Sequence, residues 1–137
     1  MRLILAAWFT LNLAWLWDRI LYLLGPTLGI HERLRVILLV PIGEEVFKYG
    51  VSYLSSLSPP VLFFLFGMGE GLYESIHLKH KLDPVLILAG ILPHSFFSIF
   101  YLFNMPVWFS LLLAIVSHST WNNLIFNFKN DCKSSTD

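Results

Sequence analysis

Gly43-Glu44-Glu45-Val46-Phe47-Lys48-Tyr49-Gly50 stands in the middle of an apolar run that extends from Val36 to Leu57. At the centre of a membrane helix a charged residue costs roughly 2.5–3.5 kcal/mol even on the lenient insertion scale. Three of them this close together must be satisfied by one another, or by groups arriving at the same depth from elsewhere in the chain.

The composition makes the bilayer the expected solvent. Of 137 residues, 56% are hydrophobic and 13% charged, and the mean hydropathy is +0.68; an ordinary soluble domain has about 25% charged residues. A soluble domain of this size keeps much of its surface in water and needs more charge to cover it. The expectation is therefore one integral-membrane domain over residues 1–137, a multi-pass protein of the cell membrane. A formal net charge of zero gives a nucleic-acid partner no electrostatic support. The single cysteine, Cys132, lies in the polar tail, which excludes an internal disulfide and a cysteine-based metal or redox pair. The first apolar run is too long for a cleavable signal peptide and carries Asp18-Arg19 before its end.

With about 20 residues needed to cross the hydrocarbon, the chain divides into an all-α transmembrane bundle of five spans, 3–24, 34–57, 61–78, 84–103 and 107–128, followed by a polar tail at 129–137. Trp8, Trp15, Trp17 and Tyr22 read as interfacial or packing aromatics, and Asp18 and Arg19 as a snorkelling anchor. Gly25-Pro26-Thr27-Leu28-Gly29 ends the first helix. Pro41 predicts a kink just before the paired glutamates, and Gly67 with Gly71 predicts a close helix approach. With five spans, Arg19, Arg33, Arg35, Lys79, Lys81, Lys129 and Lys133 gather on one side and Arg2 alone on the other. By the positive-inside rule, the N-terminus lies outside and the C-terminus in the cytoplasm.

Depth then brings the polar residues together. Glu44 and His94 each lie ten residues in from the start of their spans, Leu34 and Pro84, which is about 15 Å at 1.5 Å per residue. His118 and Glu74 enter from the opposite side to a similar layer. Spacings of four place His118 with Asn122, Glu70 with Glu74, and Glu44 with Lys48 on common helix faces. Lys48, three residues from Glu45, can neutralise either carboxylate.

Such an inventory suits the activation of water. Desolvation makes a carboxylate a stronger base, imidazoles and carboxylates are good zinc ligands, and an amide such as Asn122 can donate to a developing oxyanion. Each residue also has a plainer reading: Glu44, Glu45 and Lys48 as an ion-pair staple, a lone histidine as an interhelical hydrogen bond, Glu70 as a partner for Lys48. The convergence of all of them in one layer is what the plainer readings explain poorly.

At these residues the chain resembles the PrsW family of intramembrane proteases, within the superfamily of CAAX prenyl proteases and bacteriocin-processing enzymes. Glu44-Glu45-Val46-Phe47-Lys48 looks like its EExxK motif; Gly69-Glu70-Gly71-Leu72-Tyr73-Glu74-Ser75 resembles its second motif, with Glu74 at the acidic position; His94, and His118-Ser119-Thr120-Trp121-Asn122, look like the third and fourth. Ser75 stands where the family pattern has Asn. Phe66-Gly67-Met68-Gly69-Glu70 also aligns with the related Phe-x-x-x-His pattern, which puts Glu70 in the functional slot instead. The resemblance implies a prokaryotic intramembrane endopeptidase acting on a membrane-tethered protein or peptide. In it Glu44 polarises water with support from Glu45, Lys48 balances charge, Asn122 completes the site, and Glu74, His94 and His118 bind zinc or, without metal, orient the base. The other classes that fit the residues are a non-proteolytic scaffold or immunity-type binding protein, and a small ion carrier.

Overall fold

The computed structural model describes residues 1–79, 81–103 and 105–134, and the side chains of these except at 78, 79 and 129–134. The charges of Lys79, Lys129 and Lys133, the thiol of Cys132, and the loop residues His80 and Asn104 therefore lie outside what is described. The chain is all-helical, with no strand among the described residues.

Five helices occupy the predicted places. Helix α1 is Arg2–Leu24. Helix α2 (32–55) is composite: a short turn Glu32–Leu34, a π-helical turn Arg35–Leu39, and an α-helix Val40–Ser55. Helix α3 is Pro59–Lys79. Helix α4 (84–102) is Pro84–Ser98 continued by a 3₁₀ turn Ile99–Leu102, and α5 is Val107–Ser134, running on past the predicted end at 128. Local chemistry sets the boundaries. Ser56 ends α2 with a left-handed φ of 56°, while the Ser52 hydroxyl donates to the Leu57 carbonyl. Asp83 caps α4 by accepting from the Val85 N–H at 2.9 Å. Ser75 of α3 ties the connection from α3 to α4 by donating to the Lys81 carbonyl and accepting from the Asp83 N–H.

Two of the helices, at Pro84–Leu102 and Val107–Phe128, are long and apolar enough to cross a membrane, with mean hydropathies of 1.9 and 1.2. The other three carry the polar residues that lower theirs: Asn12, Asp18 and Arg19 on α1, Glu44, Glu45 and Lys48 on α2, Glu70 and Glu74 on α3.

Ionisable side chains are buried in the bundle while many large apolar ones face outward. Glu45, Lys48, His94 and His118 are buried, while Trp8, Trp15, Leu54, Phe64, Leu92, Phe96, Trp108 and Leu124 face outward. Apolar contacts still organise the bundle: Ala6, Ala7, Val51 and Leu62 join α1, α2 and α3, and Phe63, Phe97 and Ala114 join α3, α4 and α5. Glycines bring α3 and α4 to backbone contact. A Cβ on Gly67 would lie 2.5 Å from the Gly90 carbonyl, and one on Gly71 would lie 2.7 Å from the Cα of Ile87. The Gly67 and Gly71 pairing expected from the sequence is thus a helix–helix contact with Gly90 on the partner.

Just before Pro41, where the sequence predicts a kink, α2 widens into a π turn. The Val40 N–H bonds back to Arg35, five residues away. Asp18, read from sequence as an anchor, forms an ion pair with Arg35 that joins α1 to α2.

Overpacking the glycine contact should be felt globally. Gly71→Leu is expected to lower the unfolding free energy in detergent by about 1–3 kcal/mol. Gly50→Ala, with nothing within 4 Å of the added Cβ, should leave it unchanged or slightly raised. Circular dichroism during titration with a denaturing detergent measures both.

Candidate functional site

Four helices contribute to one polar cluster: Glu44, Glu45 and Lys48 from α2, Glu70 from α3, His94 from α4 and His118 from α5. Spacing on α2 explains its share, since residues 44, 45 and 48 fall on one helical face. His94 follows Pro93 inside α4, and His118 sits in mid-α5.

Lys48 is the hub. Its Nζ donates to Glu45 Oε1 at 2.5 Å and to His94 Nδ1 at 3.1 Å, and lies 3.9 Å from Glu44 Oε2. It also sits over the rings of Phe63 and Phe66, 4.8 and 4.6 Å from their centroids, a range in which a cation is attracted by the ring face. Both Lys48 and Glu45 are fully buried. Of the two carboxylates Lys48 could neutralise, it is bonded to Glu45.

The hydrogen bonds fix the imidazole tautomers. An ammonium can only donate, so His94 Nδ1 accepts from Lys48 and its Nε2–H donates to Glu70 Oε2 at 2.6 Å. His118 Nδ1–H donates to Glu45 Oε1 at 2.8 Å, which in the neutral imidazole leaves the lone pair of Nε2 facing Glu44 Oε2 across 3.9 Å. Glu44 Oε2 is buried and has no hydrogen-bond partner among the described residues. Phe97 stacks on His118 with centroids 4.9 Å apart, and the two histidines meet edge to face at 5.1 Å.

Glu44, Glu45, Lys48, Glu70, His94 and His118 are thus brought together. Glu74 is not: it is exposed, one helical turn from Glu70. Since the two share a face, only their position along the helix separates them, by about 6 Å, and the structure puts Glu70 against His94. Asn122 is also turned elsewhere. Its Nδ2 donates to the main-chain carbonyl of Val36 at 3.0 Å, so its amide N–H serves α2 rather than the cluster. Trp17, expected only as an aromatic filler, donates its indole N–H to the Leu39 carbonyl at 2.8 Å. The missing N–H of Pro41 is the sequence signal that some carbonyl nearby would need an outside donor.

The metal set expected from the resemblance, Glu74, His94 and His118, is replaced by a different trio. Glu44, His94 and His118 each offer an atom within 4.8 Å of the others. Distance would allow an ion; charge and donor chemistry do not. Lys48 touches one member and lies 3.9 Å from another. His94, accepting at one nitrogen and donating at the other, has no lone pair left. Glu44 and His118 alone retain one, short of the three protein ligands typical of catalytic zinc. The residues as arranged do not fit a resident zinc.

No family model, curated protein or solved structure matches this chain.

Removing one partner of a buried pair leaves the other charge uncompensated. Lys48→Met is therefore expected to destabilise the protein by about 3–5 kcal/mol, and the double variant Lys48→Met with Glu45→Gln by less than the single change. The same denaturant titration compares them.

Proposed function

We propose that the chain is an integral membrane endopeptidase that hydrolyses a peptide bond of a membrane-tethered protein or peptide without a metal. The observation that carries this reading is a pair of acceptors, Glu44 Oε2 and His118 Nε2, which face each other at 3.9 Å in a buried site. A polar gap of that length invites a bridging water. A water donating one hydrogen to each acceptor turns its lone pairs outward, ready to attack a carbonyl carbon.

Glu44 takes the proton released on attack and passes it to the departing amine, as a general base that becomes a general acid. One water is thereby added across the peptide bond. Glu45 holds His118 through Nδ1, the arrangement in which a carboxylate fixes an imidazole's orientation. Lys48 balances Glu45, and Glu70 holds His94.

The membrane setting is part of the proposal. All five helices cross the bilayer, the outward apolar side chains meet lipid, and the seven-to-one distribution of Lys and Arg places the N-terminus outside. What supports this is the burial of charge beneath an apolar exterior, together with the two apolar helices α4 and α5. Only 28% and 17% of their membrane-length windows are buried, unlike the core helices of a soluble protein.

Purified protein and Glu44→Ala, incubated with a library of single-span substrates and read by mass spectrometry, should differ by a set of products that the variant forms about 10²–10⁴-fold more slowly. Identical product sets, or none from either, would sink the protease reading and leave a non-proteolytic scaffold. Elemental analysis should find zinc well below one per chain, and a chelator should leave cleavage unchanged; stoichiometric zinc would overturn the metal-free mechanism.

A further inference from the structure

A proline in a helix leaves one carbonyl without its main-chain donor. Which carbonyl depends on the local register. In an unbroken α-helix, Pro41 would orphan Ile37, four residues back; in the i→i−5 register, it orphans Val36. Residues 35–39 adopt the second, as the Val40 N–H to Arg35 bond shows, and the side chain that arrives at Val36 is Asn122. From α1, Trp17 donates to Leu39 at the other end of the same turn, and its ring fills the space where a Cβ on Gly43 would stand. Two helices thus supply donors to two carbonyls within the irregular turn, shortly before the paired glutamates.

One residue added to a turn rotates everything after it by about 100° relative to a continuous α-helix. The face carrying Glu44, Glu45 and Lys48 is therefore aimed by the π turn. From this juxtaposition we infer that Asn122 and Trp17 are positioning residues: by holding residues 35–39 in the π register, they direct Glu44 and Glu45 toward His118. Asn122 then acts through the Val36 carbonyl and does not touch a substrate. The word positioning rests on the cluster being a hydrolytic site; the register clamp itself does not.

Val36–Ile37 is the sole Val–Ile pair in the chain and Leu39–Val40 the sole Leu–Val pair, so paired carbonyl-¹³C and amide-¹⁵N labelling isolates each carbonyl by NMR. In Asn122→Ala, the Val36 carbonyl should shift upfield as it loses its donor. The imidazole ¹⁵N signals of His118, assigned with His118→Gln, should lose the signature of an Nδ1–H held by a carboxylate. Trp17→Phe should move the Leu39 carbonyl and the same His118 signals. A Val36 carbonyl that does not move overturns the clamp, and so does one that moves while His118 stays as in the wild type, because the bond would then be local satisfaction only. Should Asn122→Ala fail to fold, Asn122→Asp keeps the shape and removes the donor, with the same two outcomes. Failure of the substrate-cleavage experiment with these shifts present would sink the hydrolytic reading and leave the clamp standing.

Discussion

The ammonium of Lys48, buried where four helices converge, is the constraint on which the rest of the bundle depends. A charge in such a place is tolerated only when bonded and balanced. Glu45 balances it, His94 accepts from it, and two phenylalanine rings cover it. Each of these partners is then committed in turn: Glu45 also takes the His118 N–H, and His94 reaches on to Glu70. A continuous set of polar contacts therefore links α2, α3, α4 and α5, and Glu44 Oε2 and Glu45 Oε2 are its buried carboxylate oxygens without a hydrogen-bond partner among the described residues. Of the two, Glu44 Oε2 is the one that faces His118 Nε2, at 3.9 Å.

The apolar parts of the sequence serve this arrangement. Small residues on α1, Ala6, Ala7 and Thr10, are buried against the bundle, and the α3–α4 glycines remove the side-chain layer between those helices. Close backbones let short side chains such as Glu70 and His94 meet. Outward-facing leucines and aromatics contribute little to internal packing and define the surface presented to the surroundings.

Much of this is legible in the sequence. Helix positions follow from apolar runs and from Gly, Pro and Asp punctuation. Glu44, Glu45, Lys48, His94 and His118 are legible because ionisable residues within apolar runs are few and their depths can be counted from the helix ends. Glu70 and Glu74 were not separable, since residues four apart share a face and differ only by one turn along the axis. Asn122 shares a face with His118 in the same way, but that face touches more than one neighbour, and spacing cannot say which. The π turn left no hydropathic trace, because shifting a hydrogen bond from four residues back to five alters no side chain. Helix by helix, the polar residues that build the cluster are those that lower the hydropathy of α2 and α3 below that of α4 and α5.

The glycine contact between α3 and α4 sets an uneven stiffness across the cluster. Where main chains touch directly, no side chain can change rotamer to give slack, and the two helices behave mechanically as a single rod. The Glu70 and His94 bond lies within that rod, its length governed by backbone geometry. His118 arrives on α5, held by the stacking of Phe97 and by a single bond to Glu45. The 3.9 Å separation of His118 from Glu44 is thus set by side-chain packing rather than by direct main-chain contact.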